Sequence, residues 1–167
     1  MGVGGSVRSQ VTRAEVLWLG DVEVRNPVTT LSLQNKGAFT DPYVAGNVGA
    51  GVLKRFNLTF DYENQKIIFE PNANHSKPDV FDRSGMWLNI VGDAFEIMDA
   101  PKGGPAATAG LMVGDKIVAV DGRPVGELSL PALRLRFRTD PPETEVRLTV
   151  ERDGRRSKVI LVLSDMV

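Results

Sequence analysis

Apolar and polar residues alternate along most of the chain, in short runs that end at turn-forming residues. Alternation over about four to eight residues is typical of a strand with one buried face. Gly92-Asp93 and Asp153-Gly154 are turn sequences that join neighbouring runs as hairpins. The predicted strands cover residues 14–19, 22–24, 28–33, 58–62, 66–70, 85–91, 94–98, 117–120, 145–151 and 157–163. The pattern therefore predicts a mainly β protein.

Helical spacing occurs only in short segments. Leu130, Leu133 and Phe137 lie at i, i+3 and i+7, which places them on one face of a helix that begins near Ser129, its expected N-cap. A shorter amphipathic helix is predicted at residues 52–56. Short helices thus complete the mainly β fold.

The composition narrows the possible functions. The chain has 167 residues, which allows one large domain or two small ones, and its apolar fraction of 42% is that of an ordinary globular protein. The formal net charge of −1 gives no electrostatic reason to expect nucleic acid as a partner. Without cysteine there is no disulfide, thiolate metal site or cysteine nucleophile.

The ends and the middle of the chain indicate its organisation. No run approaches the roughly 20 apolar residues that span a bilayer, so no membrane span is expected. The Gly-rich start Met1–Ser6 lacks the features of a signal peptide and suggests a piece of a longer parent protein. Pro71–Asp79 is polar, has proline near each end and shows no periodicity. It is interpreted as a linker between two halves.

Residues 104–122 carry the most specific motif. The segment combines a turn, a short Ala-rich helix, glycines at Gly110 and Gly114, a buried strand and the turn Asp121-Gly122. This order resembles the bacterial PDZ signature SPAxxAGLxxGDxIxxVNG, with mild departures at the leading Ser-Pro and at Asp121. PDZ domains bind peptide ends by adding a strand to a sheet edge.

The PDZ resemblance implies a peptide groove between the strand that follows Gly85 and the predicted helix. The loop before the strand would offer N–H groups to a terminal carboxylate, with Arg83 adding charge. The other wall would be the helix, from which either Leu130 or Arg134 faces the peptide, depending on the rotation of the helix. The candidate residues are Arg83, Ser84, Gly85, Met86, Trp87, Leu88, Asn89, Ile90, Leu130, Leu133, Arg134 and Phe137. Core packing explains Met86, Leu88 and Ile90 equally well.

The first half resembles the C-terminal end of bacterial retropepsin-like aspartic proteases. The resemblance rests on the turn Val44–Gly51, the strand Leu58–Tyr62, the final strand Lys66–Glu70 and the hairpin Leu17–Val24. It implies a truncated protease domain at residues 1–74, a linker at 75–83 and a PDZ domain at 84–167. The PDZ half is expected to be a β-sandwich or partly open barrel capped by two helices.

The catalytic motif of that protease family is missing. Its members need two carboxylates that share a proton, each from an Asp-Thr-Gly or Asp-Ser-Gly loop. No aspartate of this chain is followed by Thr-Gly or Ser-Gly, and Asp82-Arg83-Ser84-Gly85 has one residue too many. We therefore expect this chain alone to be inactive, with no catalytic residue, while its parent resembles an endopeptidase.

Two weaker signals favour structural explanations. Gly46, Gly49 and Gly51 do not have the order of a dinucleotide fingerprint and lack the Lys-Ser/Thr of a phosphate loop. His75 is the single histidine and is expected in a solvated loop, so neither a catalytic role nor a metal site is predicted. No cofactor is predicted.

Two functions remain open at this point. The first is recognition of an extended peptide or a protein C-terminus by strand addition, in the service of a peptidase. The alternative is a structural clamp, in which the groove holds a strand or tail of the same chain or of a partner. A homodimer is expected because an incomplete lobe leaves strand edges unpaired. The family resemblance also suggests a periplasmic or other extracytoplasmic location.

Overall fold

The computed structural model describes residues 9–34 and 43–167. Backbone contacts divide the chain into two compact units, the first ending at Asp79 and the second covering Val80–Met166. The Gly-rich start lies outside the described residues. Within the described residues, no helix has the length and apolar character to cross a membrane.

The described residues of the first unit form three separate antiparallel strand pairs and one short helix. Strand β1 pairs with β4, β2 pairs with β3, and β5 pairs with β6. The elements are β1 (Ser9–Arg13), β2 (Val16–Leu19), β3 (Val22–Arg25), β4 (Val28–Ser32), α1 (Ala50–Leu53), β5 (Phe56–Asp61) and β6 (Lys66–Pro71). The predicted hairpin β2–β3 is therefore confirmed, and so are the predicted strands β5 and β6, which pair with each other.

The core of the first unit is small. Among the described residues of this unit, Val24, Val52 and Phe56 form its buried apolar cluster, and partly buried neighbours such as Phe69 pack against them. Several large apolar side chains of this unit stay exposed, including Trp18, Tyr62, Leu33, Phe60 and Ile67. Strand pairs with so much exposed apolar surface are marginally stable by themselves.

Two local predictions for the first unit are wrong. Helix α1 ends at Leu53 and Phe56 begins strand β5, because Phe56 packs edge-on against Phe69 of the partner strand at 5.5 Å. His75 is not a solvated loop residue. Its ring lies 5.3 Å from that of Phe56 and its carbonyl accepts a hydrogen bond from Arg55.

The second unit is built on one open antiparallel sheet with two short helices. Its strands run in the order β12-β11-β9-β8-β7, and the short β10 pairs with β9. The elements are β7 (Trp87–Val91), β8 (Ala94–Asp99), α2 (Pro105–Thr108), β9 (Lys116–Val120), β10 (Arg123–Pro124), a 3₁₀ turn (Val125–Glu127), α3 (Leu130–Thr139), β11 (Glu145–Arg152) and β12 (Arg155–Val162). The mainly β prediction is confirmed, although the sheet does not close into a barrel.

A single apolar core fills the second unit. It joins the inner face of the sheet to the helices, and its fully buried members include Ile97, Ile117, Val146, Leu161 and Leu163. Helix α3 begins where the sequence predicts, because the Ser129 hydroxyl accepts a hydrogen bond from the Ala132 N–H at 3.4 Å. The core fixes α3 beside the edge of the sheet, which positions the candidate site.

Candidate peptide-binding site

Strand β7 forms one edge of the sheet of the second unit. It pairs with β8 on one side, with Leu88 opposite Ile97. The Ile97 N–H and C=O bond to Asp115 and Gly114, so they point away from Leu88. In an antiparallel pair such residues direct their N–H and C=O groups away from each other. The backbone groups of Leu88, and by the alternation of the strand those of Ile90, therefore face outward from the sheet.

No strand among the described residues pairs with this outer edge of β7. The edge is short, at five residues, and carries a register shift between Trp87 and Leu88. A short edge strand with a bulge is protected against indiscriminate pairing. It still offers outward-facing backbone groups for one added strand.

The side chains of β7 divide between the core and the surface. Leu88 is 2% exposed and belongs to the core, whereas Ile90, two residues later on the same face of the pleat, is 64% exposed. Trp87 is also exposed and Asn89 is half-buried. The apolar surface next to the free edge therefore comes from Trp87 and Ile90.

Helix α3 lies against β7 and provides the second wall of the groove. Leu130, Leu133 and Phe137 are buried in the core, so they contribute only to its floor. The rotation of the helix turns Arg134, which is half-buried, toward β7. Of the two side chains that the sequence offered for the peptide side, the structure thus places Leu130 in the core and Arg134 at the strand.

Arg134 connects the two walls of the groove. Its Nη2 group donates a hydrogen bond to the Leu88 carbonyl, which belongs to the outward-facing edge of β7. Its guanidinium carbon lies 4.3 Å from the centre of the Trp87 ring, a cation–π distance. The side chain of Arg134 consequently spans the groove from α3 to β7. The sequence did not determine that Arg134 would do so.

The loop before β7 is held by hydrogen bonds within the second unit. Asp82 accepts hydrogen bonds from the Ser84 N–H at 2.9 Å and from the Ser84 hydroxyl, and the Ser84 hydroxyl oxygen accepts the Met86 N–H at 3.3 Å. The Ser84 carbonyl accepts the Ala106 N–H at the start of α2 at 3.0 Å. Ser84, Gly85 and Met86 are all buried. Preorganisation of this kind reduces the entropy cost of binding.

The position of Arg83 differs from that of the other candidates. Its Nε donates to Asp165 at 2.6 Å, and its Nη1 donates to the carbonyls of Arg138 and Asp140 at 2.9 and 3.0 Å. The guanidinium thus joins the end of α3 to the C-terminal segment. The other candidates lie on β7, on its preceding loop or on α3, several of them within the core, whereas the charge of Arg83 is paired with Asp165.

The sequence of this unit matches a known domain. Residues 96–152 match the family model described as PDZ domain. The second unit contains a PDZ domain. The match covers the β8 to β11 part of the unit, and β7 and its preceding loop lie just before it.

Several solved structures are similar to part of this chain. The PDZ domain of the carboxy-terminal protease from Vibrio cholerae, in complex with peptide, is 26% identical, with a TM-score of 0.42, over 50% of this chain and 93% of that one. A serine endoprotease from Yersinia pestis is 20% identical, with a TM-score of 0.47, over 68% and 43%. An HtrA-type protease with decapeptide is 15% identical, with a TM-score of 0.45, over 53% and 30%.

Two of these similarities cover less than half of the other protein. This chain spans 30% of the length of that HtrA-type protease. No curated protein matches the sequence. The comparisons do not show the retropepsin-like part that the first half resembles, and that part stays a prediction.

Proposed function

We propose that the PDZ domain binds extended peptide segments by adding them as a strand to the outer edge of β7. The observation that carries this proposal is the set of outward-facing backbone groups at Leu88 and Ile90, next to helix α3. Main-chain hydrogen bonds would supply affinity, and the exposed side chains of Trp87 and Ile90 would contact the ligand. The buried loop at Gly85 lies where a C-terminal peptide end would be held.

The first test is an NMR titration of the chain with two pools of randomised heptapeptides, one with free C-termini and one amidated. We expect shifts along β7 and on the facing side of α3. Shifts with the free-acid pool alone would indicate recognition of protein C-termini, whereas equal shifts would indicate internal segments. No shift with either pool would contradict the proposal.

A matched pair of variants at Ile90 tests the strand-addition geometry. Ile90→Pro removes an N–H that faces away from β8, so proline is tolerated there as on other edge strands. Ile90→Ala removes most of the side chain but keeps the N–H. We expect the proline variant to bind at least about fivefold more weakly than the alanine variant, because one backbone hydrogen bond is lost. Equal affinities would exclude pairing at this position.

The alternative function is a clamp for a strand or tail of the same chain or of a partner chain. The C-terminal segment is held in the second unit by Asp165, which binds Arg83 at 2.6 Å, and not by pairing with β7. Deletion of Asp165–Val167 would remove this ion pair, so a change in stability would not identify a clamp. The molecular mass measured by light scattering tests the partner-chain clamp and the homodimer, because each requires a mass above that of one chain.

We also propose that the first unit is the C-terminal part of a retropepsin-like domain and that the PDZ domain serves a peptidase. The hairpins β2–β3 and β5–β6 and the short helix between them support this origin, together with the small core and the exposed apolar strands. Since the chain has no Asp-Thr-Gly or Asp-Ser-Gly, we expect no cleavage of an unfolded protein at acid pH. Cleavage that is blocked by a transition-state peptide analogue would contradict this expectation.

A further inference from the structure

Arg134 places a positive charge in the groove. Among the described residues, no carboxylate forms an ion pair with its guanidinium. Its neighbour Arg136, by contrast, binds both Asp121 and Asp140. The guanidinium is instead held by an uncharged acceptor, the Leu88 carbonyl, and by the face of Trp87.

The contact with Leu88 also affects the free edge of β7. The Leu88 carbonyl is one of the outward-facing groups that an added strand would use, and Arg134 already donates to it. A carbonyl oxygen has two lone pairs, so a ligand strand that donates to Leu88 has to share this oxygen with the guanidinium or displace it. Unless the displaced charge finds a new partner, the exchange weakens binding.

We propose that Arg134 is a specificity-determining latch that selects peptides carrying a carboxylate, an inference that rests on the proposed function of the groove. A peptide carboxylate draws the guanidinium away from Leu88 and frees the strand edge. A peptide without a carboxylate meets an edge that is still occupied. Discrimination thus combines attraction of one ligand class with obstruction of the other.

The chemistry of the guanidinium favours a carboxylate as the releasing group. Hydrogen bonds from a guanidinium to a carboxylate are about twice as strong as those between neutral groups, and they form in pairs. The bond to the Leu88 carbonyl is already strengthened by the charge of the guanidinium. A carboxylate adds the opposite charge and a second, paired hydrogen bond, so it interacts more strongly with Arg134. Trp87 stacks on the guanidinium and can keep it oriented while its edge turns to the ligand.

The carboxylate has two chemical sources, a free peptide C-terminus or an acidic side chain. One heptapeptide selected from the randomised pools is prepared in three forms to separate them: free acid, amide, and amide with one glutamate introduced. We expect the intact chain to bind at least one carboxylate form about tenfold more tightly than the plain amide. The form that binds tightly identifies the source.

Two variants test the role of Arg134 itself. In Arg134→Ala we expect the carboxylate form to bind about tenfold more weakly and the amide to bind more tightly, because the Leu88 carbonyl is freed. Arg134→Gln also removes the charge, and its side chain is two bonds shorter than the arginine reach to Leu88, so it should change both affinities in the same direction as Arg134→Ala. Arg138→Ala removes an exposed charge from the same helix and should leave the preference unchanged.

The outcomes separate this inference from the proposed function. A carboxylate preference that is the same in the intact chain and in Arg134→Ala would overturn the latch while strand addition, checked by Ile90→Pro, stands. Equal weakening of all peptide forms in Arg134→Ala would also overturn it. If no peptide form binds the intact chain or any variant, the proposed function and the latch both fail.

Discussion

A Cβ atom on Gly85 would lie 2.7 Å from Cδ of Pro105, closer than two carbon atoms can approach. Gly85 also has a φ of +65°, a region that residues with a side chain rarely occupy. The loop that enters β7 therefore touches the first residue of α2 with its backbone. This contact, rather than loop flexibility, explains the glycine before the edge strand.

Gly85→Ala should consequently destabilise the PDZ domain more than the same substitution at a glycine that has a positive φ but free space around the added Cβ. Gly92 is the matched control, since its φ is +58° and no atom lies within 4 Å of the added Cβ. We expect a loss of about 1–2 kcal/mol in Gly92→Ala from the backbone and about 1–3 kcal/mol more in Gly85→Ala from the clash. Urea unfolding followed by NMR peak volumes of core amides in β9 and β11 measures both, and equal losses would contradict the close contact.

The fold of the PDZ domain could be predicted from local signals. The turn Asp153-Gly154, the N-cap Ser129 and the spacing of Leu130, Leu133 and Phe137 each determine structure within a few residues. The structure confirms the hairpin β11–β12 and helix α3 at these places. Such signals need no knowledge of distant parts of the chain.

Distant contacts could not be predicted in the same way. Arg134 reaches Leu88 across 46 positions of sequence, and only the packed core fixes the rotation of α3 that brings them together. Strand β1 was missed for a similar reason, because Ser9–Arg13 is polar and is a strand only through its pairing with β4. The sequence therefore located the candidate groove and offered Leu130 and Arg134 for its peptide side, while the choice of Arg134 had to come from the structure.

The ion pair of Asp115 and Arg152 should be a main stabilising contact of the PDZ domain. The Asp115 side chain is fully buried, and it accepts hydrogen bonds from Arg152 Nε at 2.6 Å and from the Met112 N–H at 3.0 Å. Asp115→Ala leaves these donors unsatisfied, so we expect a loss of about 2–4 kcal/mol in the free energy of unfolding. Asp93→Ala, on an exposed turn, should change the urea midpoint little, and a similar shift in both variants would contradict this role.

The stability of the PDZ domain should fall in acid. Burial raises the pKa of Asp115, but the hydrogen bonds from Arg152 and Met112 outweigh it and hold the pKa below its usual value. The pKa of Asp121 is likewise lowered, against burial, by Arg136 and the Arg147 N–H. A carboxyl group whose pKa is lowered by folding stabilises the folded state at any pH above its pKa in the unfolded chain. This stabilisation is lost as the pH falls below about 4.

Unfolding measured from pH 7 to pH 3 checks this dependence. The urea midpoint of the PDZ domain should stay nearly constant down to about pH 5 and then decrease, because protonation releases Arg152 and Arg136 from their carboxylates. Asp115→Asn removes one of the titrating groups. Its urea midpoint should be lower at pH 7 and should decrease less between about pH 5 and pH 3. A profile of unchanged steepness in Asp115→Asn would show that Asp115 does not contribute to it.

Arg55 should hold the first unit together from inside. Its side chain is 5% exposed, it donates to the His75 carbonyl at 3.1 Å, and it lies 4.0 Å from Asp79. Asp79 in turn accepts the Val28 N–H at 3.0 Å, so one arginine connects strand β4 to the end of the unit. Replacement by methionine keeps the apolar stem but removes every donor.

We expect Arg55→Met to raise the hydrogen-exchange rates of the β5 amides about thirtyfold, which corresponds to about 2 kcal/mol lost from buried charge-assisted hydrogen bonds. Arg25→Met is the control, because Arg25 lies on the surface of the same unit and forms an ion pair with Glu23, two residues before it on the same strand. Exchange in β11 should be unchanged in both variants, which confines the effect to the first unit. Equal rates in Arg55→Met and Arg25→Met would mean that the exposed strand pairs of this unit are held by their own hydrogen bonds and not through Arg55.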